Sequence, residues 1–265
     1  MLTLTILNFN GMDSLRESIQ SVLAQTTPPD RFVVIDNAST DESRQIAVNM
    51  GVEVVDADNR HQFITGLNAA LYLNKDLLFF MQNDVVLEKD CLKIMMAHLP
   101  TGTNFFAQPV IYDSKGNIDN AGMDYRWPGC GKRRHKKWWE GAWYEPCGLV
   151  TTICFLTNLK EWEWDVRFAP AYYEDIDMYL KTRHNHAHLL MPNAKAIHRG
   201  NHTFSQTYKK KEISKICLIN RNKLIRKHYR GLDRIIRTAV STGGYVAKKA
   251  VDVIFDRWIT TNNRH

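Results

Sequence analysis

The 265-residue chain has no paired-cysteine pattern. Its five cysteines, Cys91, Cys130, Cys147, Cys154 and Cys217, are odd in number and form no C-x-x-C pair. That excludes a small disulfide framework and predicts a reducing compartment. No uninterrupted apolar run approaches the roughly 18 residues that a membrane-spanning helix needs. The chain starts directly on "LTLTIL", with no basic segment or small-residue cleavage site, so no cleavable leader is expected. These absences together predict a cytoplasmic protein. No internal repeat is present.

The residues that are present suit a folded α/β domain. A hydrophobic content of 44% is ordinary for a globular protein, and the length allows one large domain or one domain with an appendage. Charge is unevenly placed. Residues 206–265 hold 15 Lys or Arg against 4 Asp or Glu, a balance of +11, which leaves −4 for residues 1–205 out of a net +7. The expected division is therefore a body over residues 1–205 and a basic helical extension over 206–265.

In the body, strands and helices alternate. "LTLTIL" (2–7) reads as a strand, and residues 13–24 put Leu15, Ile19 and Val22 on one helical face. "FVVID" (32–36) is a second strand. Ser39 with Glu42 three positions on predicts a capping box for a helix that runs to Gly51. "VEVV" (52–55) and "LLFFM" (77–81) are further strands, with a helix near 67–73 between them. A helix over 88–98 leads to "FFAQPVI" (105–111), and "LVTTICFL" (149–156) is a later strand. This spacing predicts a doubly wound, mostly parallel sheet flanked by helices.

Ligands of open α/β sheets sit beyond the carboxyl ends of the strands. Three strands here end in polar residues: Asn8 and Asn10, then Asp36 and Asn37, then Gln82, Asn83 and Asp84. "VVIDNASTDES", "QNDVVLEKD", "YYEDIDMYLKTR" and "AIHRGNHTF" follow one another in the order found in family 2 glycosyltransferases of the GT-A fold, a Rossmann-like α/β fold. The chain resembles that family over residues 1–230, and most closely its bacterial rhamnosyltransferase-like branch.

The resemblance implies a site. Asp36 and Asn37 match the pair that contacts the base of a UDP- or dTDP-sugar donor, with Asn8 beside them. Asn59, Gly66 and Asn68 match a donor-binding segment, although "NRHQF" replaces the tighter Asn-x-Gly-Phe of many relatives. "QND" stands where the family carries D-x-D. Gln82 and Asn83 are then donor contacts and Asp84 is the metal ligand, joined by His198 of "AIHRG", for Mn²⁺ or Mg²⁺. "YYED" matches the motif whose aspartate is the general base of inverting members. Asp175 takes that role, and Glu174 contacts a sugar hydroxyl. Asp177 is expected to cap its helix or pair with Arg183. The implied activity is metal-dependent single displacement from a nucleotide-sugar to a hydroxyl of a glycan or lipid-linked acceptor in polysaccharide biosynthesis.

Two further segments carry expectations. "GCGKRRHKKWWEGAWYEPCG" (129–148) reads either as an acceptor loop, with tryptophans for sugar faces and cations for phosphate, or as a solvated basic loop. "RHNHAH" (183–188) lacks the cysteines of a zinc site. In the tail, Ile213, Ile216, Cys217 and Leu224 form one apolar stripe, and Val246, Ala250, Ile254 and Trp258 form a second. The first is expected to pack on the body. The second is left for an anionic membrane or a second copy of the chain. Nucleic acid is not an expected partner. The competing readings are a nucleotide-sugar-binding module of weak activity and a nucleotidyltransferase. "NFNGMDSL" has too little glycine and no lysine for the phosphate loop of the latter.

Overall fold

Strands β1 (Leu2–Asn8), β2 (Arg31–Asp36), β3 (Glu53–Asp56) and β4 (Leu77–Gln82) pair in parallel in the order β4-β1-β2-β3. The structure, a computed structural model, describes residues 1–57, 63–126, 130–135, 144–200 and 208–242. Every residue of β1 is buried, as a parallel strand covered on both faces requires. Alternate side chains feed two cores. Leu7, Val33, Ile35, Leu78 and Phe80 face one way, and Leu4, Ile6, Val34, Phe79 and Met81 the other. On the first side lies α3 (Phe63–Tyr72); on the second lie α1 (Met12–Leu23), α2 (Ser43–Asn49) and α4 (Cys91–Ala97). Leu15, Ile19 and Val22 form the buried face of α1, as its periodicity predicts.

The second half of the sheet is mixed. β11 (Cys154–Thr157) runs antiparallel between β4 and β6 (Asn104–Tyr112), and β12 (His186–His198) then runs parallel to β6. Parallel neighbours need a long crossover connection, usually a helix. The connection from β6 to β12 carries β7 (Ile118–Asn120), the hairpin of β8 (Met123–Arg126) and β9 (Cys130–Arg133), then β11 and a helix over Glu174–Thr182. The short strands β5 (Val85–Leu87) and β10 (Glu145–Pro146) pair with β12.

Several sequence expectations shift. The apolar run 149–156 is a strand only from Cys154; Leu149 bridges Met123, and Thr151 and Thr152 lie outside regular structure. The capping box does not form. Helix α2 starts at Ser43 with Glu42 at its cap and no side-chain cap bond. Ser39 Oγ instead donates to Asp36 Oδ1 at 2.7 Å, because a buried carboxylate is the stronger acceptor.

The chain closes with α5 (Glu174–Thr182), α6 (Lys210–His228) and α7 (Gly231–Thr242). Leu224 of α6 is buried in the same core as Phe168, Ile176 and Met178. Buried Asp177 of α5 pairs not with Arg183 but with Lys227 (2.8 Å) and His228 (2.7 Å) of α6 and with Lys181 (3.1 Å) of its own helix. Lys227 also reaches Asp165 at 2.5 Å. Arg183 lies at the end of α5 with its guanidinium on His184. The second stripe, 246–258, lies outside the described residues, as do Asn59 and residues 136–143 of the tryptophan-rich segment. Among the described residues no helix is long and apolar enough to cross a membrane.

Removing one member of a buried ion cluster leaves its partners uncompensated, at a cost of about 3–5 kcal/mol. Asp177→Ala should destabilise the protein on that scale, read as a lower denaturant midpoint. Burial opposes the Asp177 charge, but His228, Lys227 and Lys181 outweigh it and hold its carboxyl below the usual range. A depressed folded-state pKa stabilises above the unfolded value and stops doing so as pH falls through the folded one. The gap between wild type and variant should therefore narrow in acid.

Candidate active site

The carboxyl ends of β1, β2 and β4 converge on one polar network. Asn8 is fully buried at its centre. Its amide nitrogen donates to Asp36 Oδ1 (3.0 Å), Ser39 Oγ (3.0 Å) and Ser43 Oγ (2.8 Å), and its Oδ1 accepts from Asn83 Nδ2 at 2.9 Å. Asp36 also accepts the backbone N–H of Ser39. Asn8 and Asp36 thus stiffen the strand ends from behind. Asn37, Gln82, Asn83 and Asp84 line a cavity of about 890 Å³. The buried Asn37 Oδ1 has no hydrogen-bond partner. Gln82 Nε2 donates to Thr152 O at 3.2 Å.

Pairing of β5 with β12 brings the second half of the sequence to the same wall. His198 stands opposite Val85, next to Asp84, and its Nε2 lies 3.4 Å from Asp84 Oδ2. Its Nδ1 is held by Asp119 Oδ2 at 3.1 Å. Burial alone would lower the His198 pKa, but Asp119 and Asp84 outweigh it and raise the imidazole to about 9.

Glu174 and Asp175 line the same cavity from the N-terminus of α5. Glu174 is buried. Thr152 Oγ1 donates to its Oε1 at 2.9 Å, and its Oε2 has no hydrogen-bond partner. Burial, and then the adjacent Asp175 charge, push Glu174 well above the glutamate range. Burial raises Asp175 less, because the Ile176 N–H and the Arg133 guanidinium favour its anion. Asp175 is half-buried and lines the cavity, so it combines a partly desolvated setting with access to a ligand. Of the pair, Glu174 is the one that burial pushes further toward its neutral form.

Two residues expected at the site face elsewhere. Asn68 is buried in α3, its amide accepting from Trp164 N (2.8 Å) and donating to Trp164 O (3.0 Å). Gly66 packs against Leu7: a Cβ there would fall 2.3 Å from Leu7 Cδ1. Gly66 serves the docking of α3 on β1, and Asn68 ties α3 to the loop at Trp164. Conversely, Gly11, Asp119 and Thr152 belong to the site without matching any of the family motifs, and Arg133 comes from the basic segment 129–148 that reads as an acceptor loop or a solvated loop. Three of them line the cavity, and Gly11 abuts the Asn8–Asn83 pair. Each is defined by a partner remote in sequence, which no local pattern encodes.

The sequence model of glycosyl transferase family 2 matches residues 3–153, more than half of the chain. The chain belongs to glycosyl transferase family 2. No curated protein matches it. Among solved structures it is similar to GalNAc-T7 crystallised with UDP, GalNAc and Mn²⁺, at TM-score 0.61 and 16% identity over 75% of this chain and 43% of that one. It therefore spans less than half of the GalNAc-T7 structure. It is also similar to S. aureus TarS 1-349, at TM-score 0.57 and 13% identity over 90% of this chain and 69% of that one. The complex of the same TarS fragment with UDP-GlcNAc gives TM-score 0.56 and 14% identity over 91% of this chain and 71% of that one. At these identities the likeness is one of fold, and it places this family 2 member among GT-A proteins.

The donor set of this glycosyltransferase fits a hard divalent cation. Asp84 supplies a carboxylate, His198 turns Nε2 toward it, and Asp119 fixes the imidazole from the far side, the arrangement that supports histidine ligands in metal sites. Among the described residues no three His, Cys, Asp or Glu side chains converge into a complete metal cage. The pair suits a cation that takes its other ligands from phosphate oxygens and water.

Gly11 packs directly against the Asn8–Asn83 amide pair. A Cβ there would lie 2.3 Å from Asn83 Nδ2 and 2.4 Å from Asn8 Oδ1. Gly11→Ala should break that amide pair and cost about 1–3 kcal/mol, as overpacking does. A thermal melt unchanged within error would contradict the network as described.

Proposed function

We propose that this family 2 protein transfers a sugar from a UDP- or dTDP-sugar to a hydroxyl of a glycan or lipid-linked acceptor by inverting single displacement. The observation that carries this reading is the single cavity that joins the Asp84–His198 pair, the unpartnered Asn37 amide oxygen and the Glu174–Asp175 pair. Asn37 offers its carbonyl to the imide N–H of a pyrimidine, and Gln82 and Asn83 border the donor. Asp84 and His198 hold Mn²⁺ or Mg²⁺, which when bound neutralises the leaving diphosphate. Asp175 accepts the proton of the acceptor hydroxyl as its oxygen attacks the anomeric carbon. Glu174, kept neutral, donates a hydrogen bond to a sugar hydroxyl and leaves the negative charge to Asp175. A nucleotidyltransferase would need no base aimed at an acceptor hydroxyl from this position.

Asp175→Asn should lower turnover by about 10²- to 10⁴-fold while leaving nucleotide binding near wild type, since a base acts in the transition state. Asp84→Ala and His198→Ala should do the opposite at the binding step, abolishing the Mn²⁺ dependence of UDP or dTDP binding measured by calorimetry. UDP-glucose, UDP-GlcNAc and dTDP-rhamnose serve as the donor panel. Full turnover in excess chelator would sink the metal assignment, and full turnover of Asp175→Asn would sink the base.

A lipid-linked acceptor would place the enzyme at an anionic membrane. Leu218 and Ile219 of α6 and Ile235 of α7 are exposed, and Lys209, Lys210, Lys211 and Lys215 are exposed at the start of α6. Each basic side chain near an anionic surface contributes roughly 1 kcal/mol, screened by salt. Co-sedimentation with phosphatidylglycerol vesicles should be strong at low salt, fall as salt rises, and weaken in Ile219→Asp/Ile235→Asp. Absence of sedimentation at low salt would rule the membrane out.

A further inference from the structure

The turn that delivers the acidic pair is conformationally expensive. Tyr172 and Tyr173 are consecutive, bulky and left-handed, with φ of 73° and 75°. Non-glycine residues seldom occupy this region, and two in succession persist only where surrounding contacts over-determine them. Tyr173 is also the cap residue of α5. The next two residues are Glu174 and Asp175, so relaxation of the turn would carry both carboxylates with it.

Helix α6 supplies a set of contacts to the turn. Asn220 is 1% exposed and sends its amide nitrogen to three carbonyls of the segment: Phe168 O at 2.6 Å, Ala171 O at 3.0 Å and Tyr172 O at 3.1 Å. Its own Oδ1 accepts from Lys223 Nζ at 3.1 Å, which fixes the amide with its nitrogen toward the turn. Lys223 also reaches Arg167 O at 2.5 Å. Seven residues beyond Asn220, and so on the same face of the helix, Lys227 pairs with Asp177 in the first turn of α5. One face of α6 therefore grips the chain on both sides of Glu174 and Asp175.

We propose that Asn220 is a positioning residue for sugar transfer: it holds the Tyr172–Tyr173 turn in its left-handed form and thereby aims Asp175 into the cavity. The inference rests on the reading of Asp175 as the base. It makes α6, which follows the four sequence motifs, part of the catalytic centre. No other side chain type of this size supplies two N–H donors and an acceptor on one planar group. Asn220→Asp keeps the shape and loses the donors.

The test is a double-mutant cycle on turnover of the donor panel, with UDP binding measured alongside. Asn220→Ala and Asn220→Asp should each lower kcat by about 10²-fold, the scale of an ångström-sized misplacement, with UDP affinity nearly unchanged. Leu224→Ala, which loosens α6 without touching the turn, controls for stability; at temperatures where it stays folded it should retain most of kcat. Asn220→Ala combined with Asp175→Asn should be no slower than Asp175→Asn alone, because the first residue acts through the second. Three results overturn the proposal. Wild-type kcat in Asn220→Ala does so and leaves the base reading intact, as does a fully additive cycle or a Leu224→Ala loss equal to that of Asn220→Ala. Wild-type turnover in Asp175→Asn removes the base reading itself, and the role of Asn220 with it.

Discussion

Burying Glu174 and Asp175 side by side is the constraint around which the rest of the molecule is arranged. Two adjacent carboxyls in one cavity each make the other harder to ionise. The structure separates them by surroundings. Glu174 is deeply buried, and burial together with the adjacent Asp175 charge favours its neutral form over the donors around it, Thr152 among them. Asp175 has the N-terminus of α5, the Ile176 N–H and Arg133, all of which favour the anion. Asp177, only two residues further on, would add a third negative charge. Lys181 and Lys227 offset it locally and His228 hydrogen-bonds it, so the first turn of α5 accommodates three acidic residues.

The other wall of the cavity depends on the sheet. Parallel strands bring Asn8, Asp36 and Asn83 to one edge, where they bond mainly to each other and to nearby hydroxyls. That leaves Asn37, Gln82 and Asp84 facing the cavity on a rigid base. The antiparallel pairing of β5 with β12 then sets His198 beside Asp84, more than 100 positions away in sequence. The mixed half of the sheet is thus what joins the two halves of the site.

Much of this arrangement is legible in the residues themselves. Short β-branched and apolar runs in β1, β2 and β4 specify strands buried on both faces, and the polar residues at their ends specify where a ligand would lie. The order of four short motifs points to family 2, and the match over residues 3–153 bears that out at the level of the family. The departures have a common origin. Ser39 looks like a helix cap because Glu42 follows it, but Asp36, three residues back, competes for its hydroxyl and wins. Asn68 and Gly66 match a donor segment, yet Trp164 and Leu7, distant in sequence, claim their space. Asp119, Asn220 and the α6 partners of Asp177, Lys227 and His228, carry no local signal at all, since each acquires its role only when β7 or α6 is packed.

The proposed chemistry has one base and no second ionised carboxylate beside it. Double displacement would need a carboxylate nucleophile as well, and the neutral Glu174 is a poor one. The configuration of the transferred sugar is therefore the most direct test. Proton NMR of the first-formed product, recorded before mutarotation or secondary hydrolysis, should show an anomeric configuration opposite to that of the nucleotide-sugar donor. Retention of the donor configuration would contradict the account.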